Sequence, residues 1–199
     1  MNYLKKARIK NNLRYSWPLY IFTPAIIGLL MFFIFSVVHK LPAYKTLTIF
    51  VSGEVSDSKG LKNELLTKYE DKELKSVTFI SALPNEGHYY TKLTVPGYST
   101  ADVLIIPESK FDTVDVPYFA LDLNSELIES YYSGYSTYDK NGVSYGIKLN
   151  KELVKPYMSL PNEECYLFLN GGSQNLGEYS NKPVKEHDLA LQLVKYWGM

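Results

Sequence analysis

Hydrophobic and polar positions divide the chain into two unlike parts. From Tyr15 to Val38 run 24 residues without a charge, "YSWPLYIFTPAIIGLLMFFIFSVV". At a rise of about 1.5 Å per residue, roughly 20 such residues cross the hydrocarbon core of a bilayer, so this run predicts one transmembrane helix. Past Lys45 the pattern changes to short apolar runs separated by polar clusters. "TLTIFV", Thr46 to Val51, is a β-branched strand ending at Ser52-Gly53-Glu54. "SDSKGLKNELLTKYEDKEL" sets Leu61, Leu65 and Tyr69 at i, i+4 and i+8 behind a Ser and Asp cluster able to cap a helix. "VTFISA", Val77 to Ala82, is a second strand. "EGHYYTKLTV" puts Tyr89, Tyr90 and Leu93 on one helical face, a pattern a strand also tolerates, with the balance toward helix.

The run Val103-Leu104-Ile105-Ile106 stands between Asp102 and Pro107 without a polar break. A strand with one wet face alternates apolar with polar, so this one is expected to be covered on both faces. In open parallel sheets ligands gather beyond the carboxyl ends of strands, which is where Glu108 and Ser109 fall. "PYFALDLN" adds a strand-like run, and "SELIESYYSGY" predicts a helix with a Ser cap and Leu127 and Tyr131 one turn apart. "YDKNGVSYGIKLN" reads as an Asn-Gly turn feeding a strand with Val143, Tyr145, Ile147 and Leu149 on one face. "CYLFLN" is the last strand. "KEHDLALQLVKYWGM" then carries Leu189, Leu193 and Tyr196 with Trp197 on a stripe ending at Gly198.

Strand, helix, strand, helix, strand is the cadence of βαβ units. The expected fold class is α/β: a single amino-terminal transmembrane helix, then one three-layer lobe with a mostly parallel sheet. The boundaries are a short basic cytoplasmic segment at 1–14, the span at 15–39, a tether at 40–45 and an extracytoplasmic domain at 46–199.

Charge supports that division. The net charge of zero hides a split, because Lys5, Lys6, Arg8, Lys10 and Arg14 precede the span and no acidic residue occurs before Glu54. The remainder holds 16 basic and 21 acidic residues, a charge of −5. By the positive-inside bias the amino terminus is cytoplasmic and the domain extracytoplasmic, at a plasma membrane. Trp17 and Tyr20 suit one interface and His39 and Lys40 the other; Pro24, Gly28, Phe35 and Val38 lie within the span, where Pro24 gives a modest kink. No small-x-small cleavage site follows the apolar run, so an uncleaved signal anchor is expected. The single cysteine, Cys165, rules out an intramolecular disulfide and sits in a strand pattern as a buried small hydrophobe. Export without disulfides points to a bacterial surface.

Candidate chemistry is sparse. His39, His88 and His187 show no ligand spacing, and no nucleophile elbow, H-E-x-x-H or Walker loop occurs, so no catalytic residue, metal or cofactor is expected. "NGGSQNLG", Asn170 to Gly177, is read as a flexible surface turn. Glu70 with Asp71, and Glu163 with Glu164, are read as solvated faces. Tyrosine stands out: of 18 in the chain, five fall between Tyr131 and Tyr145 with small polar spacers, offering stiff contact area for a sugar face or a protein partner. Edge-filling in a small sheet is the competing role. An acidic domain lacks the basic footprint that nucleic acid requires.

The order of "TLTIFVSGE", "LLTKYE", "VTFIS", "YYTKLT", "ADVLIIPES", "FALDLN" and "YGIKLN" resembles the first lobe of bacterial extracellular solute-binding proteins, the type II periplasmic-binding fold that serves ABC importers. The resemblance covers Thr46 to Leu149, with "CYLFLN" and the final helix matching later pieces. It implies a ligand cleft near the "ADV" strand and a hinge at "YGIKL". Relatives insert a second lobe after that hinge; here about 16 residues separate "YGIKL" from "CYLFLN", and Lys148 replaces the usual proline. The expected protein is therefore a reduced, membrane-anchored solute-binding lobe, acting as an accessory or binding subunit beside an ABC-type permease or another membrane protein. The bilayer is its other partner. Gly53, Glu54, Glu108, Ser109, Tyr135 and Tyr138 are the candidate contacts for a small solute or carbohydrate. The alternatives are a conventional solute-binding protein feeding an importer, and a structural or sensory subunit of the cell envelope.

Overall fold

The computed structural model describes residues 18, 21–35 and 41–198. The chain divides into two compact units, Met1–Leu41 and Pro42–Met199. In the first, residues 21–35 form a helix, α1, that contains Pro24, Gly28 and Phe35 and whose side chains are all exposed, Phe32 at 74 % and Leu29 at 69 %. The basic segment 1–14, Trp17, Val38 and the flanks that would complete a span lie outside the described residues. Among the described residues no helix is long and apolar enough to cross a membrane.

The second unit is a mixed α/β domain. Its elements are β1 (Thr46–Val51), β2 (Glu54–Val55), α2 (Ser58–Lys68), β3 (Ser76–Ser81), α3 (Tyr89–Lys92), α4 (Tyr98–Thr100), β4 (Val103–Pro107), α5 (Val116–Phe119), α6 (Ser125–Tyr131), β5 (Thr137–Lys140), β6 (Val143–Lys148), α7 (Lys151–Val154), β7 (Met158–Ser159), β8 (Cys165–Leu169) and α8 (Leu189–Gly198). Six strands make one sheet in the order β3-β1-β4-β8-β6-β5, and β2 pairs with β7 in a separate ribbon. β1 is parallel to β3 and β4, while β8 runs antiparallel to both β4 and β6, and β5 antiparallel to β6. Four of the six strands therefore point one way, and the antiparallel steps are confined to the β8-β6-β5 side.

Both faces of the sheet are covered, which explains the unbroken apolar run. Leu47, Ile49, Val51, Val103 and Ile105 face a core built with Leu61 and Leu65 of α2, Leu127 of α6 and Leu193 and Trp197 of α8. Phe50, Leu104, Ile106 and Phe168 face the opposite core with Tyr89, Leu93, Phe111, Val116 and Phe119. Every residue from Val103 to Pro107 is buried, as a central strand requires. Full burial of each such aliphatic side chain stabilises by roughly 1.5–3 kcal/mol over leaving it in water.

Local chemistry sets most element ends. Asp57 accepts from the Gly60 amide and starts α2; Asn124 accepts from the Leu127 amide and starts α6. The cap of α6 is thus Asn124, one residue before the predicted Ser125. "EGHYYTKLTV" is helical, passing through a π-turn at Leu93–Gly97 around Pro96 into α4. Asn141 (φ 56°) and Gly142 (φ 81°) form the predicted hairpin turn, a left-handed pair that asparagine and glycine adopt at least cost.

Three expectations are corrected. "PYFALDLN" is not a strand: Pro117 cannot donate to a ladder, Val116 and Phe119 bury together one helical turn apart, and only Ala120 keeps a bridge to Asn170. Tyr145 does not share the face of Ile147, because β6 bulges where Tyr138 opposes Gly146 and Asp139 opposes Ser144. The extra residue sends Tyr145 to the core of Phe168 and Ile147 to the core of Trp197. "NGGSQNLG" is not a surface turn, since Asn170, Ser173, Asn175, Leu176 and Gly177 are buried.

That loop is a polar staple at the amino-terminal ends of the parallel strands. The Asp102 carboxylate accepts from the Thr48 amide (2.7 Å), the Ser173 hydroxyl and the Asn175 amide (3.1 Å). The Asn175 side chain also donates to the Thr46 carbonyl, and that of Asn170 to the carbonyls of Tyr98 and Ala101. Three short segments that leave buried backbone groups are thereby satisfied from side chains.

Candidate functional site at the strand ends

At the carboxyl ends of β4 and β6, and the start of β8 between them, lies a groove of about 1100 Å³. Glu108, Tyr135, Ser136, Lys148, Asn150, Lys151, Asn162, Glu163 and Glu164 supply its polar lining, with Gly134, Leu149 and Gly198 completing it. Ladder pairs Pro107↔Cys165 and Lys148↔Tyr166 fix why these groups converge: each is the last rung before the chain leaves the sheet.

The rim is held by specific clasps. Glu163 accepts from the Ser109 amide and hydroxyl, both at 2.8 Å. Lys148 pairs with Glu164 at 2.8 Å, and that carboxylate holds the Lys148 ammonium above its ordinary range. The Lys151 ammonium donates to the carbonyls of Pro161 and Glu163, tying α7 to the 161–164 segment. Asn150 caps α7 through the Glu152 amide. The pair Glu163 and Glu164, expected on a solvated face, thus builds the groove wall. Beneath it Cys165 is fully buried, and burial pushes its thiol up to about 11, so it is held as an inert neutral thiol.

What remains unengaged defines the chemistry. Among the described residues the Glu108 carboxylate, the Ser136 hydroxyl and the Asn162 amide have neither a hydrogen bond nor an ion pair. Together they offer an acceptor, a donor-acceptor and an amide that does both. Tyr135 adds a ring, held by its hydroxyl on the Lys195 carbonyl (3.1 Å) and by packing near Tyr132.

The six residues singled out by sequence fall in three places. Glu108 and Tyr135 line the groove, and Ser109 stands behind it as the anchor of Glu163. Gly53 and Glu54 follow β1 at the same end of the sheet but lead into the β2-β7 ribbon; a side chain at Gly53 would lie 2.4 Å from the Ser159 carbonyl. Tyr138 packs against Phe111, Tyr166 and Phe168. The tyrosine-rich stretch as a whole serves the core: Tyr132 is fully buried, and Tyr131, Tyr135, Tyr138 and Tyr145 pack against one core or the other. Sequence reading missed Ser136, Lys151 and Asn162. Only Lys151 left a trace, as the charge immediately after the Asn150 cap.

No family model matches this chain, and no curated protein does. Among solved structures it is similar to an ABC substrate-binding protein of Listeria monocytogenes in complex with cycloalternan, at 17 % identity and a TM-score of 0.37, over 56 % of this chain and 32 % of that one. A second, described in connection with xylan utilization by Caldanaerobius polysaccharolyticus, is 21 % identical with a TM-score of 0.32, over 56 % and 33 %. The chain spans about a third of the length of either protein.

Proposed function

We propose that the domain from Pro42 onward is a binding module and not an enzyme, and that its site is the groove at the strand ends. The observation that carries this reading is the set of unengaged groups: Glu108, Ser136 and Asn162 point to a ligand rich in hydroxyls, which can donate and accept at each position, with the Tyr135 ring as an apolar platform. The remaining charged groups of the wall are engaged, Glu163 by the Ser109 amide and hydroxyl, Lys148 with Glu164 and Lys151 on backbone carbonyls, which leaves no paired nucleophile and base among the described residues of the groove. A carbohydrate or another polyol fits that inventory better than an ion.

The module is held at the membrane by the span at 15–39, its amino terminus cytoplasmic, and works beside an ABC-type permease. The uncharged run, the basic segment before it and the resemblance to solute-binding proteins support this placement. Titration calorimetry of the full chain in nanodiscs with a pool of neutral oligosaccharides tests the site. Asn162→Ala and Glu108→Ala should each weaken binding about tenfold, the equivalent of one well-placed hydrogen bond at about 1.4 kcal/mol. Unchanged affinity in both variants would contradict the groove as the site.

A further inference from the structure

A second cavity of about 320 Å³ adjoins the groove, lined by Ser56, Lys151, Glu152, Val154, Lys155, Met158, Ser159, Leu160, Pro161 and Asn162. It shares Lys151 and Asn162 with the first. One wall is α7 with its closing residue, Lys151 and Lys155 standing four residues apart; the other is the chain from β7 to Asn162. Lys151 is fixed where the cavities adjoin, because its ammonium grips the carbonyls of Pro161, which lines the second cavity, and of Glu163, which lines the first.

Resting on the reading of the groove as a polyol site, we propose that the two cavities are consecutive subsites for one elongated hydroxyl-rich chain, a linear oligosaccharide of several units laid across Lys151 and Asn162. Four observations carry this. A groove of about 1100 Å³ already exceeds the 300–1000 Å³ or so that encloses a single compact ligand, so one small sugar would leave much of it wet. The adjoining cavity falls at the lower end of that range, room for a further unit and not for a separate large ligand. Asn162, exposed and unengaged, lines both cavities. The second cavity carries both signs, Lys155 paired with Glu152 at 3.5 Å, which again suits a neutral hydroxyl chain over an anion.

The test is a graded series of linear β-1,4-xylo-oligosaccharides and α-1,4-gluco-oligosaccharides, one to six units, titrated into the full chain in nanodiscs. In at least one series affinity should rise about tenfold or more from the shortest binder to the longest. Ser159→Trp, an exposed position that fills the second cavity, should abolish that rise while leaving the shortest binder unaffected; Lys155→Trp serves as a second block should Ser159→Trp disturb the β2-β7 pairing. A length dependence lost in both variants supports consecutive subsites. Affinity that is already full at one unit, or a length dependence that survives both variants, overturns them and leaves the groove intact as a site. Failure of every length to bind overturns the polyol reading itself along with this one.

Discussion

Single residues separate structure from recognition in this domain. Asp102 is buried with three donors and no cation, and desolvation outweighs those hydrogen bonds to hold its carboxyl above the ordinary value. A folded-state pKa above the unfolded one contributes stability that is complete below the unfolded value and is lost as pH rises through the folded one. Thermal unfolding of the full chain, followed upward in pH from the ordinary carboxyl value of 3.8, should show such a decline. Asp102→Asn should lack that component; parallel curves for the two proteins would contradict it. Asp102→Ala strands the Thr48 amide, the Ser173 hydroxyl and the Asn175 amide, and should cost about 3 kcal/mol at neutral pH. Nothing in the sequence announced this staple. Its members are far apart along the chain, and Asn-Gly-Gly-Ser composition signals a turn without saying whether the turn is wet or buried.

Elements were legible where periodicity and caps agreed. α2 reads directly from Leu61, Leu65 and Tyr69 behind Asp57, and β4 from its unbroken apolar run. They were illegible where one residue breaks the period. The bulge at Tyr145 reverses the face of everything before it in β6, and no local pattern encodes a bulge that arises from pairing with β5. The β2-β7 ribbon is set by a close backbone approach at Gly53, where even a methyl group would meet the Ser159 carbonyl. Gly53→Ala should therefore destabilise by about 1–3 kcal/mol, an overpacking cost read in the melting temperature. Tyr138→Ala should act likewise by removing a ring from the Phe111-Tyr166-Phe168 cluster. Either variant melting like the parent while losing ligand would make these residues contacts instead of supports.

On the scale of the whole molecule, the candidate site was half legible. The rule that ligands gather beyond the carboxyl ends of parallel strands located Glu108, but the antiparallel β8 and the 161–164 segment supply half the wall, and they come together only through the sheet order. The α1 helix exposes Ile26, Leu29, Phe32 and Phe33 with no charged residue between positions 21 and 35. The proposed span places Asn2 and Lys45 on opposite sides of a bilayer. With Cys165 buried, single cysteines at Asn2 and Lys45 in sealed vesicles should react with an impermeant maleimide from opposite sides. Labelling of both from one side would refute the single span.

The central claim, a ligand site at the strand ends, is tested most directly by hydrogen–deuterium exchange of the full chain in nanodiscs, with and without a neutral linear oligosaccharide. The account predicts added protection at 134–136, 148–151 and 158–164 and little change at the Asp102 staple. Protection confined to other segments, or absent at saturating sugar, would contradict it.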